Sequence, residues 1–336
     1  MEIRPLDAAD PVAMAAWHAT YHAAWVFEQD YPTPWMLEEM RAEFLGGSPG
    51  STVEPYAGYV DGRLVVTGVL QLPQLDNLDI ANVDVATPPA LRRRGHGTGM
   101  LEHLTALAGR RGRRTLLAEA SWDYHAPADG AGTPNADFLT RRGFAFSLGD
   151  VKRALDLPVD ERLLDRLERE AAPFHSGYTL RHFAGPVPDD IIDGFGSLVG
   201  SLASEAPMGD LDLEEEVYDA TRIRADEKIL EASGRTKYTT VASAPDGALV
   251  AYTDLALPSY DPGHVYQWGT LVRPEHRGHR LGMAVKLRNL REFQAARPGP
   301  RLLYTYNAEV NEHMIAVNDA LGFYPVGRLG EFQKRL

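Results

Sequence analysis

The chain has 336 residues, 44% of them hydrophobic and 24% charged, and carries a formal net charge of −13. Its length indicates two domains of roughly 150 residues each, and its composition is typical of a soluble globular protein. The absence of cysteine excludes disulfides, thiolate metal sites and cysteine nucleophiles, and the negative charge disfavours nucleic acids and anionic membranes as partners.

The N-terminal sequence MEIRPLDAADP is charged and has no apolar segment typical of a signal peptide. No run of residues approaches the roughly 18 consecutive apolar residues of a membrane-spanning helix. The sequence therefore predicts a cytoplasmic protein that has no membrane partner.

The first half of the chain predicts an alternation of strands and helices. Apolar residues at helical spacing predict a helical region over residues 11–45 and helices over 98–109 and 135–142. Alternating or continuous apolar runs predict strands, and an Asp-Gly turn joins the second strand to the third. These predicted strands cover residues 2–6, 56–60, 64–72, 78–85 and 114–121.

The second half repeats this order of elements, which indicates a duplicated domain. Strands are predicted over residues 178–183, 237–242, 248–257, 265–272 and 302–307, and helices over 189–203, 213–233, 281–295 and 311–321. Between the halves, the charged sequence DERLLDRLEREA (160–171) predicts an amphipathic connecting helix, bounded by Pro158 and Pro173.

Two glycine-rich segments, PALRRRGHGTGM (89–100) and PEHRGHRLGM (274–283), each follow a predicted strand and open a predicted helix. A helix N-terminus offers unpaired amides and the positive end of its dipole to a phosphate, and glycines allow the backbone to approach it closely. The arginines add charge-assisted contacts. Either loop alone is compatible with a simple turn, but two in the same context favour an anion site. Neither the dinucleotide fingerprint nor a Walker A loop fits these residues.

These loops resemble the signature of the GNAT acetyltransferase superfamily, Arg/Gln-x-x-Gly-x-Gly/Ala. Residues 92–97 match it, and so do residues 94–99, which leaves the register open by two positions. Residues 277–282 match except that Arg280 replaces the central glycine. The segments HRGHRLGMAVKLRNL (276–290), TYNAEVN (305–311) and MIAVNDALGF (314–323) are similar to tandem, two-GNAT-domain proteins of actinobacteria.

The resemblance implies an α/β (α+β) fold of two tandem GNAT-like domains, 1–157 and 177–336, with residues 158–176 as a helical connector. Each domain would hold a mixed, mostly antiparallel, V-splayed sheet flanked by helices. Acetyl-CoA, or another acyl-CoA, would lie in the splay with its pyrophosphate on the loop. The residues implied to bind it are Val85, Ala86, Thr87, Arg92, Arg93, Arg94, Gly95, His96, Gly97, Thr98, Gly99, Leu271, Val272, Arg277, Gly278, His279, Arg280, Leu281, Gly282, Met283 and Asn311.

The resemblance also implies a carboxylate base on the fourth or fifth strand and a tyrosine in the last helix that protonates the departing thiolate. The candidate bases are Asp84 and Glu119 in the first half and Glu309 and Asp254 in the second, with Tyr266 as a polar relay. The place of the tyrosine is taken by Leu139 in the first half and by Asn318 in the second. The family also has an asparagine before this helix, and its place is taken by Gly132 in the first half and by Asn311 in the second. The usual thiolate acid is therefore missing from both halves.

The region between the first two helices would form the acceptor wall, with Trp25, Tyr31 and Trp35 as substrate-binding residues, although aromatic residues at helical spacing are usually core. Asp210, Asp212 and residues 214–216 are expected either to attract a cation or to begin a helix. His18 and His22 lack an evident third ligand, so no metal is expected.

The leading hypothesis is an N-acetyltransferase that passes an acetyl group from acetyl-CoA to a primary amine of a small molecule by direct attack. The alternatives are a non-catalytic acyl-CoA-binding or scaffold protein and a protein-lysine acetyltransferase. The sequence is compatible with a monomer or a homodimer.

Overall fold

A computed structural model of the chain describes residues 1–205, 209, 211 and 213–336. The chain forms two compact units, which we call unit 1 (residues 1–149 and 327–336) and unit 2 (residues 150–326). The sequence predicted domain limits at residues 157 and 177, whereas the units divide at 149/150 and again at 326/327. The last ten residues of the chain are therefore part of the unit built by its N-terminal half.

Unit 1 is a mixed sheet flanked by helices. Its strands lie in the order β1-β2-β3-β4-β5, followed by the C-terminal segment 327–335, and only β4 and β5 are parallel neighbours among the pairs described. The elements are β1 (Glu2–Pro5), α1 (Pro11–Trp25), α2 (Leu37–Leu45), β2 (Ser51–Val60), β3 (Arg63–Pro73), β4 (Ile80–Ala86), α3 (His96–Arg110), β5 (Thr115–Trp122) and α4 (Pro134–Thr140).

Local chemistry explains the boundaries of the first elements. The Asp10 carboxylate accepts hydrogen bonds from the amides of Val12 and Ala13, and Pro11 occupies the first turn of α1, where no amide donor is needed. Asp61 and Gly62 both have positive φ, 49° and 75°, as a tight hairpin between β2 and β3 requires. The helix, the hairpin and the Asp-Gly turn were all predicted from the sequence.

Unit 2 repeats the architecture, and the predicted fold class, a mixed sheet flanked by helices, is confirmed. Residues 150–156 of β6 are followed in its sheet by β11, β10, β9, β8 and β7, with β10 and β11 parallel. The elements are β6 (Ala145–Asp156), α5 (Glu161–Ala171), β7 (Thr179–Ala184), α6 (Ile192–Gly200), α7 (Leu202–Glu205), α8 (Ala220–Ala232), β8 (Arg235–Ser243), β9 (Leu249–Pro258), β10 (His264–Val272), α9 (Leu281–Ala296), β11 (Leu302–Ala308), α10 (Glu312–Leu321) and β12 (Tyr324–Arg335).

The final strand of each half completes the sheet of the other unit. β12 pairs with β5 from Arg328 opposite Trp122 to Arg335 opposite Thr115, and β6 pairs with β11 from Asp156 opposite Leu302 to Asp150 opposite Ala308. The sequence analysis predicted neither strand. Charged residues interrupt the apolar pattern of both, and their partners lie more than a hundred residues away in the chain.

One predicted helix begins later than expected. The pattern predicted a helix from residue 213, but α8 begins at Ala220, where the Asp219 carboxylate accepts a hydrogen bond from the Arg222 amide at 2.8 Å. Residues 214–216 therefore precede the helix rather than forming its first turn, and Asp210 and Asp212 lie outside the described residues.

No helix in the described part of the chain is both long enough and apolar enough to cross a membrane.

The C-terminal strand provides a test of the division into units. Phe332 is completely buried in the core of unit 1, where its ring lies 6.3 Å from that of Trp122. We expect Phe332→Ala to lower the free energy of unfolding by about 3–5 kcal/mol, because it removes a large buried side chain. Urea denaturation measures this, with the exposed Leu336→Ala as a matched control that should change stability by less than about 0.5 kcal/mol. Equal stability of the two variants would contradict the assignment of β12 to this core.

Candidate functional site

The two parallel strands of unit 1 separate after a short pairing. β4 and β5 pair over three residues, from Ile80 beside Thr115 to Asn82 beside Leu117. Both strands continue beyond this point, to Ala86 and Trp122. Their facing edges therefore open into a V in which backbone groups are left for another partner. In unit 2, β10 and β11 likewise pair over three residues, from His264 beside Leu302 to Tyr266 beside Tyr304.

A helix begins at the open end of the V in unit 1. Its first backbone hydrogen bond runs from the Gly99 amide to the Gly95 carbonyl at 3.0 Å. The amides of His96, Gly97 and Thr98 precede this bond, and helix geometry leaves them without an intrahelical acceptor. Gly95, the N-cap, has φ 84° and no side chain to cap these donors. The start of α3 is thus a set of free donors at the positive end of a helix dipole.

One arginine fixes the shape of each loop. Arg92 Nε donates to the Thr87 carbonyl at 3.1 Å, and its Nη2 donates to the Ala24 carbonyl at the end of α1. Arg277 Nε makes the same bond to the carbonyl five residues before it, Val272, at 3.3 Å, and its Nη2 donates to a helix carbonyl of α7. Arg92 and Arg277 are therefore equivalent, which pairs residues 92–97 with residues 277–282 and selects one of the two registers that the sequence left open.

The backbone conformations of the loops agree with this register. The positive φ angles fall at Arg93 (63°) and Gly95 (84°) in the first loop and at Gly278 (86°) and Arg280 (51°) in the second. Each loop therefore places one glycine and one arginine in left-handed conformations, with the two residue types exchanged. The shared backbone shape explains why the motif match survives the replacement of a glycine by Arg280.

The side chains of the two loops differ in their partners. Arg93 and Arg94 are exposed and make no hydrogen bond or ion pair with any residue the structure describes. In the second loop, Arg280 Nη1 donates to the Glu170 carbonyl at 3.1 Å and its guanidinium lies 4.6 Å from the centre of the Phe174 ring. A cation at the C-terminal end of α5 satisfies a free carbonyl and the negative end of that helix dipole.

The segment that follows α5 contacts another residue of the second loop. His279 Nδ1 lies 3.0 Å from the Phe174 carbonyl, and the ring of Tyr178 lies 5.2 Å from that of His279. Within unit 2, the chain itself thus supplies partners for the side chains that were predicted to bind phosphate. The first loop keeps its basic side chains available for a ligand.

Two predicted catalytic residues of unit 1 face the same side of the sheet. Val83 belongs to the core beneath α3, whereas Ala86 belongs to the core beneath α1, so Asp84, by strand alternation, also faces α1. Tyr21 of α1 lies in the electrostatic field of both Asp84 and Glu119. The structure therefore brings Asp84 and Glu119 together with Tyr21 beside the opening of the V.

Asp84 is partly buried and accepts no hydrogen bond from any described residue. Burial raises the pKa of the Asp84 carboxyl from 3.8 to about 6, since the charged form loses water without gaining a partner. Burial also raises the pKa of the Tyr21 hydroxyl well above its ordinary value, and the nearby Asp84 adds to this effect. A carboxylate that titrates near neutral pH beside an opening in the sheet suits a general base.

Aromatic side chains form the wall beside these acids. The Trp35 amide donates to the Tyr21 hydroxyl at 3.2 Å, and Trp25 lies with its ring centre 5.7 Å from that of Tyr21. Trp35 is 48% exposed, and Tyr31 is half-buried in the same connection between α1 and α2. Gln29 Nε2 reaches Ser121 Oγ of β5 at 3.1 Å, which ties this connection to the V.

The candidate bases of unit 2 have different surroundings. Asp254 is buried, with Oδ2 2.7 Å from Lys237 Nζ and Oδ1 accepting from Thr239 Oγ1 at 2.6 Å, so its charge is balanced within the fold. Tyr266 lies with its ring 6.0 Å from that of Tyr304, beneath the guanidinium of Arg235. Glu309 is exposed beyond the end of β11. Of the predicted bases, Asp84 has the surroundings that favour proton transfer.

The two residues predicted to occupy the place of the thiolate acid are buried. Leu139 lies in the core of unit 1. Asn318 is fully buried, accepts from Lys286 Nζ at 2.8 Å and donates to Asn307 Oδ1 at 2.5 Å. Asn311 is the N-cap of α10, where its Oδ1 accepts from the Met314 amide at 3.1 Å. These contacts account for each residue within the fold of its own unit.

Comparison with known proteins identifies the architecture. No protein-family model matches the chain, and no curated protein matches it in sequence. Among solved structures, a tandem GNAT protein from the clavulanic acid biosynthesis pathway is 29% identical, with a TM-score of 0.78, over 99% of this chain and 98% of that one. The chain has the tandem GNAT fold.

Two further solved structures with a similar fold are more distant in sequence. A GCN5-related N-acetyltransferase from Sphaerobacter thermophilus is 14% identical, with a TM-score of 0.66, over 99% of this chain and 95% of that one. The N-myristoyltransferase of Saccharomyces cerevisiae, solved with bound myristoyl-CoA, is 13% identical, with a TM-score of 0.61, over 99% of this chain and 78% of that one. These two similarities concern the fold alone.

Sequence reasoning missed several residues of this candidate site. Tyr21 is buried and lies in the electrostatic field of Asp84, a placement that no sequence motif indicates. Gln29 and Ser121 carry no motif, and their contact joins residues 92 positions apart. Arg142 donates to the Thr98 hydroxyl at the start of α3 and lies outside the glycine-rich loop.

Asp84 provides a test through stability. The folded protein binds the proton of the Asp84 carboxyl more tightly than the unfolded chain does. The contribution of the protonated carboxyl to the free energy of unfolding is therefore complete below its unfolded pKa and is lost as pH rises through about 6. We therefore expect Asp84→Asn to raise the free energy of unfolding at pH 8 by about 2–3 kcal/mol and to change it little at pH 3.5. Urea denaturation at the two pH values measures the difference. An equal effect at both would show that Asp84 is not desolvated in the folded protein.

Proposed function

We propose that this protein transfers an acetyl group from acetyl-CoA to a primary amine of a small molecule, and that unit 1 carries the reaction. The observation that supports this most is the free start of α3 at the mouth of the V between β4 and β5, with two unpaired arginines beside it. In a chain with thirteen excess negative charges, such a site is suited to an anion of high charge. The pyrophosphate of a coenzyme A thioester has that charge, and the V is open to its extended arm.

The residues of the first loop would hold the coenzyme. The amides of His96, Gly97 and Thr98 would donate to the pyrophosphate, and Arg93 and Arg94 would add charge-assisted contacts. Arg92 is occupied by backbone carbonyls, so its role is to hold the loop in shape. Bound acetyl-CoA would supply an acyl carbonyl that is open to attack by an amine.

The acceptor would enter from the α1 side, along the wall formed by Trp25, Tyr31 and Trp35. Asp84 would accept the proton of the ammonium group, which must be lost for the nitrogen to attack the carbonyl carbon. As the carbon–nitrogen bond forms and the carbon–sulfur bond breaks, the nitrogen releases its second proton to water, and the departing thiolate takes one proton. Because Leu139 occupies the place of an acid in α4, we propose that this last proton comes from water, and that positioning of the amine supplies most of the catalysis.

Catalysis is expected to depend on Asp84 in a way that pH reveals. Ionised Asp84 is the active form, so kcat/KM should rise with pH through about 6 in the wild-type protein. Asp84→Asn should lower kcat/KM by about 10²–10⁴-fold and remove this step from the profile. Thiol release from acetyl-CoA, followed against a panel of amines, measures both. A step near pH 6 that persists in the variant would assign it to another group.

A single coenzyme site per chain follows from the different partners of the two loops. We expect calorimetry with acetyl-CoA to give one site per chain, and Arg94→Glu to weaken binding by about tenfold or more. The exposed Arg63→Glu on β3 changes the net charge equally and serves as the matched control, with affinity close to that of the wild type.

A substitution in the second loop tests whether unit 2 binds a coenzyme. Arg277→Glu is expected to leave one binding site for acetyl-CoA of unchanged affinity. Two sites per chain, or loss of binding in Arg277→Glu alone, would place a coenzyme in unit 2 and contradict the assignment to unit 1.

A non-catalytic acyl-CoA-binding protein is the second candidate, and the apolar Leu139 in the place of the acid favours it. Both candidate functions predict the same binding of acetyl-CoA, but only the acetyltransferase predicts turnover. Binding of acetyl-CoA without thiol release across a broad amine panel would support the binder.

A further inference from the structure

Arg142 lies where the end of α4 meets the start of α3 in unit 1. It follows α4, which ends at Thr140, and precedes Gly143, whose φ of 84° turns the chain into β6. Its guanidinium donates through Nη1 to the Phe138 carbonyl at 2.8 Å and through Nη2 to the Thr98 hydroxyl. The guanidinium carbon also lies 3.8 Å from the centre of the Phe138 ring. These three contacts hold the cation in one position.

That position is electrostatically unfavourable in the absence of an anion. Thr98 is the third residue of α3, so the guanidinium stands at the positive end of the helix dipole, where a cation is disfavoured. Burial lowers the pKa of Arg142; the negative charge of Glu102, the next largest effect, opposes this, and the positive charges of Arg141 and Arg93 add to the lowering. Its Nε atom is buried and has no hydrogen-bond partner among the described residues. The fold therefore fixes a partly desolvated cation beside amide donors that also lack partners.

The equivalent place in unit 2 has no such cation. Met283 is the third residue of α9, as Thr98 is of α3. Leu321 precedes the glycine that closes α10, Gly322, as Arg142 precedes Gly143. The turn itself is the same, since the Phe144 amide bonds to the Leu139 carbonyl and the Phe323 amide to the Asn318 carbonyl. The backbone does not require an arginine here, so its presence in unit 1 calls for a chemical explanation.

We infer that Arg142 binds the pyrophosphate of the acyl-coenzyme A held by unit 1, together with the first-turn amides of α3. This assignment rests on the proposed function and adds a ligand from outside the glycine-rich loop. The pyrophosphate, rather than the 3′-phosphate, is assigned because the guanidinium is fixed to Thr98, whose amide is one of the free donors. Thr98 holds the guanidinium in place, and the phosphate oxygens satisfy its remaining donors.

Calorimetry with two ligands tests the assignment. Acetyl-CoA and 3′-dephospho-acetyl-CoA share the pyrophosphate, and only the first carries the 3′-phosphate. We expect Arg142→Met to weaken binding of both ligands by about tenfold or more, and Arg142→Lys, which keeps the charge but loses the fork of donors, to weaken both to a smaller extent. The adjacent Arg141→Gln is the matched control, because Arg141 is exposed and paired with Asp137 at 2.7 Å, and should bind both ligands as the wild type does.

The possible results separate this inference from the proposed function. Wild-type affinity in Arg142→Met, or a loss confined to acetyl-CoA, would overturn the pyrophosphate assignment and leave the proposed function standing. Failure of the wild-type protein to bind either ligand would overturn both. If Arg142 had a merely structural role, Arg142→Met would have a lower Tm without ligand and would show the usual rise in Tm when the ligand is added. If Arg142 binds phosphate, the variant has a ligand-free Tm within a few degrees of the wild type and shows a smaller rise. If Arg142→Met does not fold, the same comparison is made with Arg142→Lys.

Discussion

The short pairing between the two parallel strands is the constraint on which the rest of the site depends. β4 and β5 share a ladder over three residues and then diverge, although both strands continue. Beyond the ladder, the backbone N–H and C=O groups on the facing edges of the two strands no longer bond to each other and need another hydrogen-bond partner. It also sets the start of α3 at the mouth of the opening and turns Asp84 toward α1. The phosphate donors and the candidate base thus face one V from its end and its side.

Charge explains why this V, rather than its repeat in unit 2, is assigned to the coenzyme. The chain is strongly acidic, so a basic side chain that finds no acidic partner is notable. Arg93 and Arg94 are such residues in the first loop, and Arg142 stands beside them at the positive end of a helix. In the second loop, Arg280 caps the C-terminal end of α5 and Arg277 contacts Glu205, with 3.7 Å between the nearest charged atoms. The same backbone shape therefore leaves basic side chains free for the proposed ligand in one unit and makes internal contacts in the other.

The side of the V that we propose for the acceptor combines a desolvated carboxylate with an aromatic wall. Asp84 reduces stability above pH 6 because its charge is partly buried without a partner, a cost that is typical of functional sites rather than of structural ones. Trp25 and Trp35 provide an apolar surface on which the carbon skeleton of an amine can lie. By contrast, Asp254 in unit 2 is neutralised by Lys237 and contributes to the fold.

The sequence by itself determined the local elements and the loops. The helices and most strands follow from apolar periodicity, and the Asp61-Gly62 hairpin follows from turn chemistry. The predicted phosphate loops follow from their glycines and arginines and from their position between a strand and a helix. Each of these signals can be predicted because it is contained within a few neighbouring residues. The fold class followed from the repeat and from the resemblance that the two loops carry. Only the tertiary structure decided that β6 and β12 complete the sheets of opposite units, since their pairing joins residues more than a hundred positions apart and their charges conceal the strand pattern. It also decided which arginines are free, because the sequence does not show that Arg280 contacts Glu170 and Phe174.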